Sequence, residues 1–407
     1  MEYEELSKLF YMSARSDRHA WLEREAQARR SMPSSFDVGL DSPNGRLFVA
    51  SPCELTVLQE RILRTEIDIA ALMKDVSGIA RAALIRGLVL DEVVSTNAIE
   101  DIHSTRAQVK EALESFQEGA PQKRRFRELA NIYLELGTGS YREPRTPQDI
   151  RLVYDKITEG EIPEDQLPDG KLFRAEGVNI TAGGVRVVHT GLEPEGKIIE
   201  TIELMLDLLD RDDIPAVTAA IVSHYLFEYA HPFYDGNGRT GRYLLSLFLR
   251  RTLSFPTVLS LSRAIAGSRD AYYRAFKSAE TPMNKGELTF FVFGMMELIR
   301  IAQTDVVEQL DKSKALSRVA ASNLENLAAE FNLNDKEADI AFVMAQYELF
   351  ETYGSTNLDD ISQGIGLGRQ MTRKHLARLE DSGAVVKTSS RPLAFSLSEN
   401  AKAILGI

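Results

Sequence analysis

Apolar residues recur at helical spacing through most of the chain. Between Glu54 and Val94 they fall mostly three or four positions apart, which is the periodicity of a helix that buries one face. Similar spacing predicts further helices at 105–116, 123–136, 148–157, 197–210, 215–230 and 240–252. Helical periodicity then continues, with short breaks, to about Phe331. The pattern therefore predicts a mainly α-helical protein.

Two stretches depart from helical spacing and predict β-hairpins. In the first, valines and isoleucines at 178–188 flank Gly183-Gly184, which is typical of two short strands joined by a glycine turn. Near the C-terminus three helices precede two short strands, and these five elements are predicted at 337–351, 358–365, 368–382, 384–386 and 393–397. Three helices followed by a hairpin indicate a winged helix-turn-helix domain.

The length and the breaks in the pattern divide the chain into segments. A chain of 407 residues suggests two or three domains at roughly 150 residues each. The segments are an N-terminal extension, a helical region, a central domain, a connecting helix and the winged helix-turn-helix domain, at 1–50, 51–140, 141–300, 301–335 and 336–407. We find no recognisable chemistry in the extension and expect it to lie over the body of the protein.

The composition narrows the class of protein without naming an activity. Sixty acidic residues against 48 basic ones give a net charge of −12, which argues against general nucleic-acid coating but leaves a local basic face free to contact DNA. Cys53 is the only cysteine, so an intramolecular disulfide and a cysteine-rich zinc site are excluded. The N-terminus is acidic, and no apolar run approaches the roughly 20 residues that span a membrane. We therefore expect a cytoplasmic protein without a membrane partner.

One stretch, at 231–242, concentrates residues that carry chemistry. A helix that ends near Ala230 presents His231, and the turn at Gly236-Asn237-Gly238 starts a new helix near Arg239. The free backbone N–H groups at the start of that helix, together with the positive end of its dipole, form an anion site.

The charged side chains of the same stretch suit a polyphosphate. Arg239 and Arg242 are three residues apart, so both project from one face of the new helix. Two guanidinium groups beside free N–H groups bind phosphates through charge-assisted hydrogen bonds. Asp235 provides a hard oxygen ligand for Mg²⁺ beside those phosphates. The imidazole of His231, with an ordinary pKa of about 6.5, can act as a general base.

This stretch resembles the signature of the Fic family, His-x-Phe-x-Asp/Glu-Gly-Asn-Gly-Arg-x-x-Arg. Every fixed position of that signature is present, and the resemblance extends over about residues 90–300. It implies an all-helical Fido fold with a β-hairpin flap, for which Gly183–His189 is the candidate, and it makes 141–300 the Fido catalytic domain. It also implies AMPylation, in which AMP moves from ATP to a protein hydroxyl and pyrophosphate is released.

The resemblance also implies a role for each residue of the motif. His231 would deprotonate a Ser, Thr or Tyr hydroxyl of the target protein, and Asp235 would hold Mg²⁺ on the phosphates. Other motif residues would bind the nucleotide, either by lining the anion hole or by holding the outer phosphates. They are Gly236, Asn237, Gly238, Arg239, Thr240, Gly241 and Arg242. Phe233 would anchor the loop in the core. The flap would align the target segment by strand addition.

The adenine side of the nucleotide matches the family less fully. Tyr272-Tyr273 after Arg269 resembles the family's segment there. The family often has Asn before the arginine, whereas this chain has Ser268. Ser268 is therefore expected at the base side of the nucleotide, in the place where the family often has an Asn that hydrogen-bonds the base.

An upstream segment resembles the family's inhibitory pattern, Ser/Thr-x-x-x-Glu-Gly/Asn. Thr96 and Glu100 match it, whereas Asp101 stands where the family has Gly or Asn. The resemblance implies an inhibitory helix at about 90–101 whose glutamate, Glu100, pairs with Arg242. A carboxylate can occupy the slot on an arginine that a phosphate needs, so ATP would bind unproductively.

The residues leave several functions open. The leading hypothesis is an ATP-using protein adenylyltransferase that also modifies itself. One alternative is a de-AMPylating hydrolase in which Glu100 positions a water, and another is a nucleotide-sensing winged-helix transcriptional regulator. The predicted recognition helix at 368–382 carries four cations and could contact DNA or a protein, and the cations are Arg369, Arg373, Lys374 and Arg378.

Overall fold

The structure, a computed structural model, describes residues 3–74, 76–114, 121–182, 186–350 and 355–407. It divides into two compact units. The first comprises Met1–Glu66 and Asp91–Gln303, and the second comprises Ile67–Leu90 and Thr304–Ile407.

Helices account for most of the described residues, as the hydrophobic pattern predicts. In chain order they are α1 (Leu6–Met12), α2 (Arg18–Arg30), α3 (Cys53–Lys74), α4 (Gly78–Ile99), α5 (Arg106–Glu114), α6 (Pro121–Thr138), α7 (Pro147–Ile157), α8 (Glu195–Leu208), α9 (Ala216–Ala230), α10 (Asn237–Leu249), α11 (Phe255–Val258), α12 (Leu261–Gly267), α13 (Arg269–Ala279), α14 (Thr289–Ser322), α15 (Leu324–Phe331), α16 (Asp335–Phe350), α17 (Leu358–Ile365), α18 (Arg369–Asp381) and α19 (Glu399–Leu405). None of these helices, within the residues described, is both long and apolar enough to cross a membrane.

The strands form small antiparallel sheets. They are β1 (Phe36–Ser42), β2 (Gly45–Val49), β3 (Asn179–Ala182), β4 (Arg186–Thr190), β5 (Thr356–Asn357), β6 (Val385–Ser390) and β7 (Leu393–Leu397). β1 pairs with β2, β3 pairs with β4, and the remaining strands form a three-stranded sheet in the order β5-β7-β6. The hairpin β3–β4 is the one predicted as the flap, and its turn, 183–185, lies outside the described residues.

The N-terminal extension contains a hairpin, β1–β2, that helical spacing does not predict. Phe36 and Val38 alternate with exposed residues along β1, which is the period of a strand with one buried face. Phe48 on β2 exchanges main-chain hydrogen bonds with the residues just before α14. The Phe48 N–H donates to the Gly286 carbonyl, and the Phe48 carbonyl accepts from the Leu288 N–H. The extension is therefore hydrogen-bonded into the first unit.

Helices α9 and α10 form the centre of the first unit. Nearly every residue of α9 is buried, which is typical of a helix that is surrounded by others on all sides. The helix ends at His231, whose backbone is left-handed with φ 47°, and α10 begins after Gly236, which is left-handed with φ 81°. The two left-handed residues reverse the chain, so the motif loop lies at one end of the two most buried helices.

In the second unit a separate core joins the elements near the C-terminus. Ile340 of α16, Leu376 of α18 and Leu397 of β7 are buried in one cluster. The three predicted helices and the predicted hairpin are all present, and β5 and α19 complete the group. The second unit thus has a hydrophobic core of its own.

Candidate active site

The loop between α9 and α10 is held by packing and by hydrogen bonds within itself. Phe233 is fully buried, and its ring stacks on that of Tyr154 with the centroids 3.5 Å apart. The buried side-chain amide of Asn237 accepts from the Phe233 N–H at 3.0 Å and donates to the Phe233 carbonyl at 2.8 Å. The loop conformation is therefore fixed by the protein alone, and the Asn237 amide is committed to the loop.

Arg174 clamps the main chain around the histidine. Its fully buried guanidinium donates to the carbonyl of His231 at 2.8 Å and to that of Ala230 at 3.2 Å. It also donates to Glu176 at 2.5 Å and to Leu192 at 2.7 Å, residues that flank the hairpin β3–β4. A single side chain thus ties the left-handed histidine to both ends of the flap.

The imidazole of His231 is held in its neutral form. Burial lowers the pKa of His231 to about 3, and the nearby positive charge of His189 lowers it further in the same direction. Its Nδ1 is buried and has no hydrogen-bond partner among the described residues. Nε2 is therefore the nitrogen that a reacting hydroxyl could reach, and a neutral imidazole can accept a proton there.

A carboxylate occupies the space beside the start of α10. No side chain caps this helix, so its first N–H groups remain available for an anion. A Cβ on Gly238 would overlap the Oε1 of Glu100, which means that this oxygen lies directly against the glycine. The Thr240 hydroxyl does not face the anion site, because it donates to the Gly236 carbonyl at 2.9 Å.

Arg242 is buried and has a partner at every nitrogen. Its Nη1 lies 2.8 Å from the Oε1 of Glu100, and the exposed fractions of the two side chains are 2% and 34%. Its Nε donates to the Thr96 hydroxyl at 2.9 Å, and its Nη2 donates to the Thr96 carbonyl at 3.0 Å. Burial would lower the pKa of Arg242, but the charge and the hydrogen bond of Glu100, together with the charges of Tyr272 and Glu228, raise it. Both matched residues of the upstream pattern thus contact the second arginine of the motif.

Arg239 has a carboxylate partner of its own. Its Nη1 forms an ion pair with Glu161, in the turn that follows α7, and the exposed fractions of the two side chains are 1% and 5%. Each arginine of the motif is therefore paired with a carboxylate, although the sequence predicts such a partner for Arg242 alone.

Asp101 adopts the conformation that its place in the pattern demands. Its backbone is left-handed, with φ 55°, which Asp tolerates better than most residues and which Gly or Asn adopts readily. Its carboxylate accepts from the Arg269 guanidinium at 3.2 Å, and the same guanidinium donates to the Ile99 carbonyl. The segment around Ser268 and Arg269 therefore contacts the end of α4 directly.

Asp235 fits a metal that arrives with the nucleotide. Its side chain is exposed at the mouth of the loop, where its Oδ1 accepts from the Gly236 N–H at 2.6 Å. No cluster of three or more acidic, histidine or cysteine side chains that could hold a metal occurs in the described part of the chain. Mg²⁺ is commonly held by one or two carboxylates plus substrate phosphates, and one exposed carboxylate meets that need.

Comparison with known proteins identifies the segment that forms this site. Residues 144–249, which include α7 to α10 and the loop between α9 and α10, match the model of the Fic/DOC family. This segment is similar to a Fic/DOC domain. Every motif residue named above, from His231 to Arg242, lies inside it, whereas Glu100 and Ser268 lie outside.

Relatives of the Fic/DOC domain include animal proteins whose function is named. Protein adenylyltransferase fic-1 of Caenorhabditis briggsae is 32% identical over 122 residues, which are 28% of this chain and 22% of the relative. Protein adenylyltransferase Fic of Drosophila yakuba is 27% identical over 143 residues, which are 32% of this chain and 27% of the relative. The chain thus spans about a quarter of the length of these curated relatives.

A solved structure extends the likeness beyond the Fic/DOC domain. The crystal structure of a Fic family protein from Desulfovibrio desulfuricans G20 superposes with a TM-score of 0.50, at 19% sequence identity. The superposition covers 84% of this chain and 96% of that one. The predicted mainly helical Fido-type fold is therefore confirmed.

The glycine of the motif that follows Thr240 is required by packing. A Cβ on Gly241 would overlap the Oε1 of Glu228, a partly buried residue one turn before His231. Burial raises the pKa of Glu228 to about 7, so this carboxyl is largely protonated below neutral pH. Gly241 thus leaves room for the side chain of Glu228.

His224, on α9, has a structural role in the core beneath the motif. Its Nδ1 donates to the Gly241 carbonyl at 3.1 Å, so its Nε2 accepts from the Tyr272 hydroxyl at 2.9 Å. Burial lowers the pKa of His224 to about 3, and the charge of Arg242 lowers it further. This histidine is a neutral, fully bonded part of the core of the Fic/DOC site.

The sequence does not reveal the contacts of three side chains around the motif. Glu161 pairs with Arg239, Arg174 donates to the His231 carbonyl, and His189 contacts the Tyr229 carbonyl. Each lies far from 231–242 in the chain, and no local spacing links any of them to the motif. Arg174 directly follows the apolar residue Phe173, and such a neighbour is only a weak signal of a buried charge. Only the fold brings the three together.

Proposed function

We propose that the chain is a protein adenylyltransferase, which transfers AMP from ATP to a Ser, Thr or Tyr hydroxyl of a target protein and is inhibited by Glu100. The observation that carries the proposal is the carboxylate against Gly238, which takes the place and the partner, Arg242, that a phosphate would take beside His231. The names of the animal relatives support the same activity.

The proposed reaction follows from the roles of the residues around His231. The target oxygen attacks the α-phosphorus of ATP while Nε2 of His231 takes its proton, and the bond from that phosphorus to the bridging oxygen breaks. Pyrophosphate leaves, and AMP remains on the target oxygen. The free N–H groups at the start of α10 stabilise the phosphate charge, and Arg239 and Arg242 hold the outer phosphates. Mg²⁺ that enters with ATP would neutralise phosphate charge, with Asp235 as its ligand from the protein.

Inhibition follows from competition for one arginine. While the Glu100 carboxylate pairs with Arg242, the γ-phosphate of ATP has no cationic partner there, and the carboxylate repels it. The side chain of Glu100 is one-third exposed and lies at the end of a helix, so it can leave without unfolding the core. Release of Glu100 would then permit the productive pose of ATP.

The target segment is proposed to bind along the flap. An extended peptide that adds to a strand edge gains main-chain hydrogen bonds, which suit many target sequences. Val187 on β4 is half exposed and offers an apolar contact at that edge. The flap at 183–189 would thereby place a target hydroxyl beside His231.

Labelling with ATP that carries a radioactive α-phosphate tests the proposal directly. We expect the wild-type protein to label itself weakly, and Glu100→Gly to raise the rate by about tenfold or more, because a charge-assisted contact is worth about 1.5–3 kcal/mol. His231→Ala in the Glu100→Gly background should abolish transfer. Equal labelling by wild type and Glu100→Gly would contradict inhibition by Glu100, and transfer by the His231→Ala protein would contradict the role of the histidine.

The same experiment distinguishes the alternative activities. A hydrolase would release AMP from a labelled protein in a reaction that needs Glu100, whereas a transferase releases pyrophosphate from ATP without it. A regulator that only senses nucleotide would bind ATP and select a DNA sequence without transfer. ATP labelled at the γ-phosphate should leave the protein unlabelled, since that phosphate departs with pyrophosphate.

The C-terminal elements are proposed to form a winged helix-turn-helix domain whose α18 contacts a protein. Two of its cations are already paired, since Arg369 lies 2.9 Å from Asp359 and Arg378 lies 3.2 Å from Glu337. Pairing weakens the field that DNA phosphates need, while Met371 is half exposed on the same helix. A gel shift whose affinity falls steeply with salt would favour DNA instead.

A further inference from the structure

His189 joins the flap to the ends of two helices of the first unit. It lies on β4, opposite Ile180 of β3, and 14% of its side chain is exposed. Its Nε2 lies 2.8 Å from the main-chain oxygen of Tyr229, in the last turn of α9. Its Nδ1 lies 2.9 Å from a carboxylate oxygen of Glu280, which follows the last residue of α13.

The partners of the ring determine its protonation state. A neutral imidazole carries one hydrogen and can donate from one nitrogen only. Here both nitrogens face oxygens that accept, a carbonyl on one side and a carboxylate on the other. Both contacts are hydrogen bonds only when the ring is an imidazolium ion. The Tyr229 carbonyl also belongs to the negative end of the α9 dipole, which favours a cation there.

We propose that His189 is a positioning residue that, as an imidazolium ion, locks the flap strand β4 to the end of α9, and that loss of its proton releases this strand. The proposal rests on the proposed function, because the flap is taken to hold the target protein. His189 and Tyr229 are joined directly, and Tyr229 is two residues before His231 in the chain. The locked flap therefore has a fixed position relative to the general base.

The charged and titratable groups that face the ring come from the elements packed against it. Burial by itself would lower the pKa of His189, but the hydrogen bond and the charge of Glu280 outweigh it and raise the pKa above its ordinary value. Glu228 on α9 acts in the same direction, while His231 across the loop opposes it only when protonated. Tyr229 contributes its carbonyl as well as a ring whose centroid lies 5.2 Å from that of the imidazole.

The direction of the pH dependence follows from the raised pKa. The folded state holds the proton of His189 more tightly than the unfolded chain does, so the contact is complete below the ordinary pKa of about 6.5. It is lost as the pH rises through the raised value in the folded protein. The flap should therefore be fixed below pH 6.5 and loosened once the pH exceeds the raised pKa of His189.

Histidine titration by NMR tests the protonation state without any substrate. In the full chain labelled with ¹⁵N-histidine, the resonance that is lost in His189→Gln should titrate above pH 6.5, and in Glu280→Gln its midpoint should move down. Glu60→Gln provides a matched control, because it removes a carboxylate from an exposed ion pair with Arg64 on α3. A midpoint at or below 6.5, or one that Glu280→Gln leaves in place, would overturn the proposal.

A second measurement tests the effect on the flap. In the Glu100→Gly background, transfer to an added target protein should decline as the pH rises through the midpoint of His189, and Glu280→Gln should shift that decline to lower pH. The KM for the target should rise several-fold in His189→Gln, while the KM for ATP stays within about twofold, because the flap holds the target and not the nucleotide. Equal changes in both KM values would indicate general damage and would overturn the positioning role.

The two measurements separate the possible failures. If the chain transfers no AMP, the NMR titration still decides the state of His189. If His189→Gln unfolds, which its melting curve would reveal, Glu280→Gln still moves the midpoint, because that side chain is one-quarter exposed and leaves the strand intact.

Discussion

At the scale of single residues, the two arginines of the motif are held by carboxylates of different kinds. Glu100 is one-third exposed at a helix end, whereas Glu161 is almost completely buried in a turn. A carboxylate at the surface can give up its arginine to a phosphate and return to water. A buried carboxylate that leaves its arginine stays desolvated. We infer that Glu100 can release Arg242, whereas Glu161 stays paired with Nη1 of Arg239 and orients that side chain for the phosphates.

Substitution of Glu161 tests this difference. In the Glu100→Gly background, Glu161→Gln should raise the KM for ATP by about tenfold, because Arg239 loses the group that orients it. It should also lower the free energy of unfolding by about 3 kcal/mol, since a buried guanidinium is left unpaired. Urea denaturation and initial rates measure the two effects.

The matched control for this variant is Glu60→Gln, which breaks an exposed ion pair between residues four apart in α3. It should change the free energy of unfolding by only about 0.3–0.5 kcal/mol. If Glu161→Gln released activity as Glu100→Gly does, Glu161 would be a second inhibitory carboxylate and the inferred difference would be wrong.

At the scale of elements, the ends of helices decide where the chemistry lies. α9 and α10 are predicted from apolar spacing, but the loop between them depends on left-handed residues and on Phe233 packed against Tyr154. The helix α7 supplies Tyr154, and its start is fixed locally. Thr146 accepts from the Asp149 N–H, and Asp149 accepts from the Thr146 N–H, which is a capping box with Pro147 in the first turn.

Removal of this cap should weaken the first unit measurably. Thr146→Ala should lower the free energy of unfolding by about 1 kcal/mol, because the N–H of Asp149 loses its acceptor. Thr146→Ser keeps the hydroxyl and should lower it by much less. Thermal or urea denaturation of the three proteins compares these values, and equal losses for both variants would show that the methyl group and not the cap is responsible.

At the scale of the whole molecule, the N-terminal extension is a built part of the first unit. Arg29 of α2 forms an ion pair at 3.0 Å with Glu287, and both side chains are buried. The Tyr3 hydroxyl donates to the same carboxylate at 2.7 Å. Phe48 of β2 is fully buried as well, so the extension completes the core and does not merely cover it.

Deletion of residues 1–50 tests this role. Each large apolar side chain removed from the core forfeits about 1.5–3 kcal/mol, and the buried carboxylate of Glu287 loses its cation. We expect the truncated chain to lose its cooperative melting transition and its near-ultraviolet circular dichroism. A truncated protein that melted cooperatively at the temperature of the full chain would contradict the expectation.

The sequence by itself determined the helical class, the flap hairpin, the C-terminal elements and the motif at 231–242. Those features depend on spacing within short stretches, where apolar periodicity and glycine turns act locally. Apolar periodicity did not reveal the hairpin β1–β2, because only its first strand alternates and only over a few residues. It also did not reveal that the Asn237 amide and the Thr240 hydroxyl bond to their own loop.

Only the tertiary structure decided which charges meet. Glu161 reaches Arg239 across 78 positions, Arg174 reaches the His231 carbonyl across 57, and His189 reaches the Tyr229 carbonyl across 40. Burial and neighbouring charges then set the protonation of His231 and His189, because a desolvated charge persists only beside an opposite charge or a carbonyl dipole. The residues of the motif can be recognised in the sequence, whereas their partners and their protonation are determined only by the folded protein.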